Sequence, residues 1–215
     1  MRFTDELRES VAKSWDAVVH HPFTDALAAG TLDPAKMRRY LIQDHRFIDR
    51  FVVLLASAVA HAPSLADRIP GCQFLALVTG PENTYFERSF VALGVREDER
   101  RDTPDASATA DFKALMREAA LSGSYARMLA VLVVAEWSYL AWADRVKHRR
   151  PSQFWHAEWI DLHTGPYFES VVGWLRSQLD AVGPALVDKE RSQVRADFAR
   201  AVALEKAFFD HAWRH

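Results

Sequence analysis

Cysteine is almost missing from this 215-residue chain, with Cys72 the only one. A single thiol excludes an intramolecular disulfide and any multi-cysteine metal site. Glycine is scarce at 8 residues, and the chain has no glycine-rich phosphate loop, Gly-x-Ser-x-Gly elbow or His-Glu-x-x-His sequence. Charge of one sign is lacking too: 27 basic side chains stand against 29 acidic ones, without a basic block. That balance argues against nucleic acid as a partner. No run of eighteen apolar residues occurs, and the opening "MRFTDELRESVAKSW" is amphipathic rather than signal-like. The resulting expectation is a soluble, reduced, cytoplasmic protein with no membrane partner.

Strand alternation bounded by hairpin signals is also absent, and helical periodicity fills the intervals instead. "HHPF", "HAPS", "RIPG", "TGPEN", "RDTPD", "RRPS" and "AVGP" read as punctuation between those intervals. The pattern predicts a first helix over about 4–19, capped by Thr4, and a short one after His21-Pro22. Asp33-Pro34 then opens a long helix, with Asp at the cap and Pro in the first turn. Further helices are expected over about 74–93, 108–122, 125–148, 153–179 and 187–213, with Gly165-Pro166 interrupting the penultimate one. "VREDERRDTPD" reads as a solvated loop. Apolar residues make up 49% of the chain, enough for one sizeable core. The fold class is all-α, with residues 1–215 forming a single domain.

Three carboxylates sit where a helical core pattern would place apolar residues. Tyr40, Asp44, Phe47, Ile48 and Phe51 recur at three- and four-residue spacing and share one face. Phe198, Val202, Glu205, Phe208 and Phe209 do the same, as do Leu132, Ala135, Glu136 and Tyr139. Each acid alone fits a core residue satisfied by a nearby donor. Three together, among aromatics, suit a pocket for a nitrogen-containing aromatic ligand: rings stack, and carboxylates accept from amino groups or protonate a leaving group. His163 follows Trp159 by one turn on an apolar stripe, the position of a hydrogen-bonded core histidine or a pocket residue. Tyr139 is placed either to bond a ligand or to satisfy Glu136. A di-iron bundle would need paired Glu-x-x-His motifs, and the chain has none, so no metal or other cofactor is expected.

Three separated segments resemble the TenA/THI-4 family. They are "HHPFTDALAAGTLDPAKMRRYLIQDHRFIDRF", "EWIDLHTGPYFESVVGWLRSQLD" and "FARAVALEKAFFDHAW", in the family's order and spanning nearly the whole chain. The resemblance implies a haem-oxygenase-like helical bundle, assembled as a homo-oligomer (a tetramer or dimer). It also implies thiaminase II-like, thiamin-salvage hydrolysis at the methylene on C5 of a 4-aminopyrimidine. By the same resemblance Asp44 hydrogen-bonds the aminopyrimidine, Glu205 is the acid/base near the leaving group, and Phe47 and Tyr139 line the pocket. Members that cleave thiamin carry a nucleophilic Cys in the central helix, where this chain reads Val134-Ala135-Glu136. His163 stands where that branch has a Tyr. The pattern is similar to the Cys-lacking, Glu-type branch, linked to salvage of the aminomethyl-pyrimidine and its N-formyl derivative. Without a thiolate, Glu136 is the candidate to activate water or to stabilise cationic character on the ring. Two other readings remain at this stage: a non-catalytic aminopyrimidine-binding or regulatory protein, and an oxidase or oxygenase of the same fold.

Overall fold

The computed structural model describes residues 1–214, and among these it contains twelve α-helices and no strand. The first four are α1 (Phe3–Ser10), α2 (Ala12–Val19), α3 (Pro22–Ala29) and α4 (Pro34–His61). Next come α5 (Leu65–Leu77), a π turn (Val78–Glu82), α6 (Asn83–Ala92), α7 (Glu97–Asp102) and α8 (Ser107–Leu121). The chain ends with α9 (Tyr125–Val146), α10 (Phe154–Leu162), α11 (Gly165–Val182), a 3₁₀ turn (Gly183–Ala185) and α12 (Asp188–Arg214).

Helix starts follow local chemistry. His21 Nδ1 accepts from the Phe23 amide at 3.1 Å, and Pro22 opens α3. Asp33 accepts from the Ala35 amide at 2.7 Å, with Pro34 in the first turn of α4. Both satisfy amide donors that a helix leaves orphaned. Gly30 ends α3 at φ 68°, in the left-handed region that favours glycine.

The bundle is arranged around α9, which packs against α12, α11, α4, α8 and α2. Sixteen of its residues are buried, so it is apolar almost all round. By length and hydropathy alone it could cross a membrane, but its place at the centre of the bundle accounts for that composition. Arg127, one turn into α9, is held to Asp197 of α12 by bonds of 2.6 and 3.3 Å.

Several sequence expectations are corrected here. The first helix is two, broken at Val11, and Thr4 does not cap it. Thr4 lies inside α1, where its amide donates to Asp180 Oδ1 at 2.8 Å. The helix expected over 74–93 starts earlier, at Leu65, and carries Pro70 and Pro81 within helical structure. Pro81 has no N–H to give, and the chain passes it in a turn of π type rather than breaking. Part of the solvated "VREDERRDTPD" stretch folds as the short helix α7, with no buried residue. The interruption at Gly165-Pro166 is present, with Gly165 at φ 83°. Gly71 holds α5 close to its neighbours, since a Cβ there would lie 2.5 Å from Val59 and 2.9 Å from Trp174.

Candidate active site

α4, the π turn, α9 and α12 each send a carboxyl group into one cavity. Asp44 comes from α4, Glu82 from the last position of the π turn, Glu136 from α9 and Glu205 from α12. Phe47, Phe51, Phe112, Trp159 and Phe208 supply aromatic walls, and about 490 Å³ of space lies among the lining atoms. No lysine or arginine lines the cavity.

The six residues singled out from sequence, Asp44, Phe47, Glu136, Tyr139, His163 and Glu205, all line it. Phe47 meets Phe112 edge-on at 5.0 Å and lies 6.3 Å from Phe208. The Tyr139 and Tyr40 hydroxyls are 2.7 Å apart. Tyr40, one turn before Asp44, gives its hydroxyl to that carboxyl. Tyr40 thus stands between Asp44 and Tyr139, the middle member of a short relay.

His163 ends α10, where its Nδ1 lies 2.8 Å from the Trp159 carbonyl. A carbonyl only accepts, so Nδ1 carries the proton and Nε2 keeps a lone pair. Burial lowers its pKa to about 4, leaving the ring neutral at physiological pH. His163 is therefore an acceptor, as the carboxylates are when ionised.

Burial pushes all four acids upward, because removing a carboxylate from water disfavours its charge. Asp44 rises to about 8, opposed by the hydrogen bond from Tyr40. Glu82 also reaches about 8, through burial of its carboxyl and then the charge of Asp44. As a whole residue Glu82 is only half-buried, but the carboxyl faces the cavity. Glu136 is raised well above its usual value by burial, then by Glu82 and Asp44. Glu205 is raised well above its usual value by burial, then by Asp44 and Glu136. Its Oε1 is buried without a hydrogen-bond partner. Neutral pH therefore finds these groups largely protonated, able to give protons as well as to accept hydrogen bonds.

Sequence reasoning missed Glu82 because "TGPEN" reads as a loop. The signal available was its spacing: Phe74, Val78 and Glu82 recur every four residues and all three face the cavity. Ala135 lines the cavity beside Glu136 and presents only a methyl group. Among the described residues, no three of His, Cys, Asp and Glu are grouped to hold a metal ion.

Residues 8–215 match the family model described as the TENA/THI-4/PQQC family. The chain belongs to that family. An aminopyrimidine aminohydrolase of Bacillus subtilis (strain 168) is 23% identical over 220 residues, spanning 100% of this chain and 91% of its own. A protein of the same name from Helicobacter pylori is 23% identical over 217 residues, the full length of both. Among solved structures, a TenA homologue from P. horikoshii OT3 superposes with a TM-score of 0.87 at 22% identity, covering 100% of this chain and 99% of its own. A TenA family transcription regulator from Silicibacter sp. TM1040 also gives 0.87 at 22% identity, covering 99% and 96%. These TENA/THI-4/PQQC relatives carry the helical, haem-oxygenase-like architecture that the resemblance implied.

Proposed function

We propose that this protein is an aminopyrimidine aminohydrolase of thiamin salvage. Its substrate class is a 4-amino-2-methylpyrimidine bearing an aminomethyl or N-formylaminomethyl group at C5. The observation that carries this reading is an aromatic cavity with four carboxyl groups and no cationic side chain. Such a site suits a flat ligand rich in N–H donors. Homology supports the same class, since relatives matched over 91% and 100% of their own length bear the name aminopyrimidine aminohydrolase.

In this reading Phe47 and Phe208 pack against the ring, Asp44 accepts from the 4-amino group, and Tyr139 and His163 complete the pocket. Water attacks the C5 methylene as the C–N bond breaks, and the bonding electron pair leaves with nitrogen. Glu205, protonated at rest, gives its proton to the departing amine. Glu136, whose resting proton must first pass to solvent, then takes the proton released by water, and positive charge developing on the ring beside it favours its ionised form. For the free amine the sum is R–CH₂–NH₂ + H₂O → R–CH₂–OH + NH₃, with one proton moved onto Glu136 and one off Glu205. The chemistry needs no thiol. Homo-oligomeric assembly, as a tetramer or dimer, and a cytoplasmic location belong to the same reading, and light scattering on the purified protein tests the assembly.

The test is incubation with 5-aminomethyl-4-amino-2-methylpyrimidine, with ammonia and the hydroxymethyl product quantified. Glu136→Gln should lower turnover by about 10²-fold, and unchanged turnover would remove Glu136 from the reaction. Ala135, where the Cys branch has its nucleophile, favours a second reading as a binding or regulatory protein. Thermal stabilisation by the pyrimidine without ammonia release would establish that alternative.

A further inference from the structure

The four acids of the cavity are not equivalent. Glu82 sits beside Asp44: its chain neighbour Asn83 meets His45, the residue after Asp44, at 3.3 Å, and both acids line the same cavity. The π turn produces that placement. It follows α5, which Gly71 holds against Val59 and Trp174, and it delivers Val78 and Glu82 to the same wall. If Glu205 faces the leaving group and Asp44 the ring, Glu82 falls at the ring.

A 4-aminopyrimidine has an amidine edge, formed by its exocyclic amine and the ring nitrogen beside it. A neutral ring offers that edge as one donor and one acceptor. Protonation of the ring nitrogen makes it two donors carrying a delocalised positive charge, the form that pairs best with carboxylates. Two carboxyl groups at one end of a cavity without a lysine or arginine match the protonated form once one of them gives its proton to the ring, since both N–H groups of the edge then meet carboxyl oxygens and the new positive charge lies beside a carboxylate.

We propose that Glu82 is a further substrate-binding residue, which with Asp44 holds the amidine edge of the ligand and keeps the ring in its protonated, cationic form. This rests on the aminopyrimidine reading and deepens it. The proton is already at hand, because Glu82 is largely protonated in the empty site. Moving it to the ring leaves a carboxylate–pyrimidinium pair, and no charge is created or lost. The pocket thereby selects pyrimidines basic enough to accept a proton. It disfavours the 4-oxo analogue, whose ring nitrogen is too weakly basic to take the proton, so that the charged pair does not form.

The experiment uses 4-amino-5-hydroxymethyl-2-methylpyrimidine, labelled with ¹⁵N in the ring and bound to the intact protein at neutral pH. The bound ring nitrogen should show the upfield shift and one-bond N–H coupling of a protonated nitrogen. Glu82→Gln should bind the compound about tenfold more weakly and return the ring signal to its neutral position, and the 4-oxo analogue should not compete. A neutral ring signal in the wild-type protein overturns the proposal without recourse to any variant. So does a Glu82→Gln protein that keeps both affinity and the protonated signal. Failure of the wild-type protein to bind either compound would instead remove the aminopyrimidine reading itself.

Discussion

Asp197 and Glu205 lie less than three turns apart on α12, both buried, and they meet opposite surroundings. Asp197 is clasped by Arg127 through two hydrogen bonds, the nearer at 2.6 Å. Glu205 is only 3% exposed, and one of its carboxyl oxygens has no partner at all. The first acid is answered by a cation from within the protein. The second shares a cavity with Asp44, Glu82 and Glu136, none of which brings one. Asp105 belongs with the first kind: burial opposes its charge, but Lys113 and Arg46 hold its pKa below the usual value. Two uses of a buried acid thus share one helix, and the difference marks where the chain waits for a ligand.

The widest separation between the two kinds should come from activity. Glu205→Gln should lower turnover on the aminomethyl-pyrimidine by about 10²–10⁴-fold, with thermal stability kept. Loss of pyrimidine binding in step with turnover would assign Glu205 to recognition instead. Stability should separate them next, in the reverse sense. Arg127→Met leaves Asp197 buried without its partner and should cost about 3 kcal/mol in urea denaturation. Glu136→Gln removes an uncompensated acid and should be neutral or stabilising. Equal destabilisation by the two substitutions would erase the distinction.

A subtler contrast lies in pH. Asp44 has a folded pKa of about 8, above its unfolded value, so the folded state holds its proton more tightly. Stability from this group is fully present below the unfolded pKa, about 4, and is lost as pH rises toward 8. His156 and His163, each lowered to about 4 by burial, act in the opposite sense up to the ordinary histidine range. The informative quantity is therefore a difference. Wild type should lose stability relative to Asp44→Asn between about pH 4 and 8, with no further divergence above. A constant offset across that window would mean that Asp44 is ionised in the folded protein. The smallest effect belongs to Tyr40→Phe, which removes the relay between Asp44 and Tyr139. It should cost about 1 kcal/mol of stability and, by removing the bond that holds the Asp44 pKa down, slightly raise the pH at which the Asp44 contribution fades, which thermal melts at pH 5 and pH 8 check.

Most of the cavity was legible because its acids interrupt strong helical periods. Asp44 sits on the stripe of Tyr40 and Phe51, and Glu205 on that of Phe198 and Phe209, so the 3.6-residue repeat alone turns both inward. Glu136 was legible as an anomaly but not as a direction. α9 is buried almost all round, and the sequence pattern does not say which side meets the cavity. Glu82 was hidden for a different reason. Gly80 and Pro81 precede it, and local propensity there favours a break, whereas the packed helix carries through in a looser turn. Thr4 failed as a cap because a distant acid, Asp180, claims its amide. Long-range partners of that kind leave no trace in a local pattern.

The apolar circumference of α9 has a further consequence. A rod apolar on almost every side has little wet face to tell it how to sit. Beyond packing, polar ties fix its rotation, Tyr125 to Gln178, Arg127 to Asp197 and Arg145 to Asp25, and the Arg127–Asp197 clasp sits about two and a half turns before Glu136 on the same rod. That clasp is one key in the shaft. It helps set the azimuth at which a carboxyl group farther along the helix is presented to whatever enters the cavity, so a pair remote from the chemistry helps aim one of its groups.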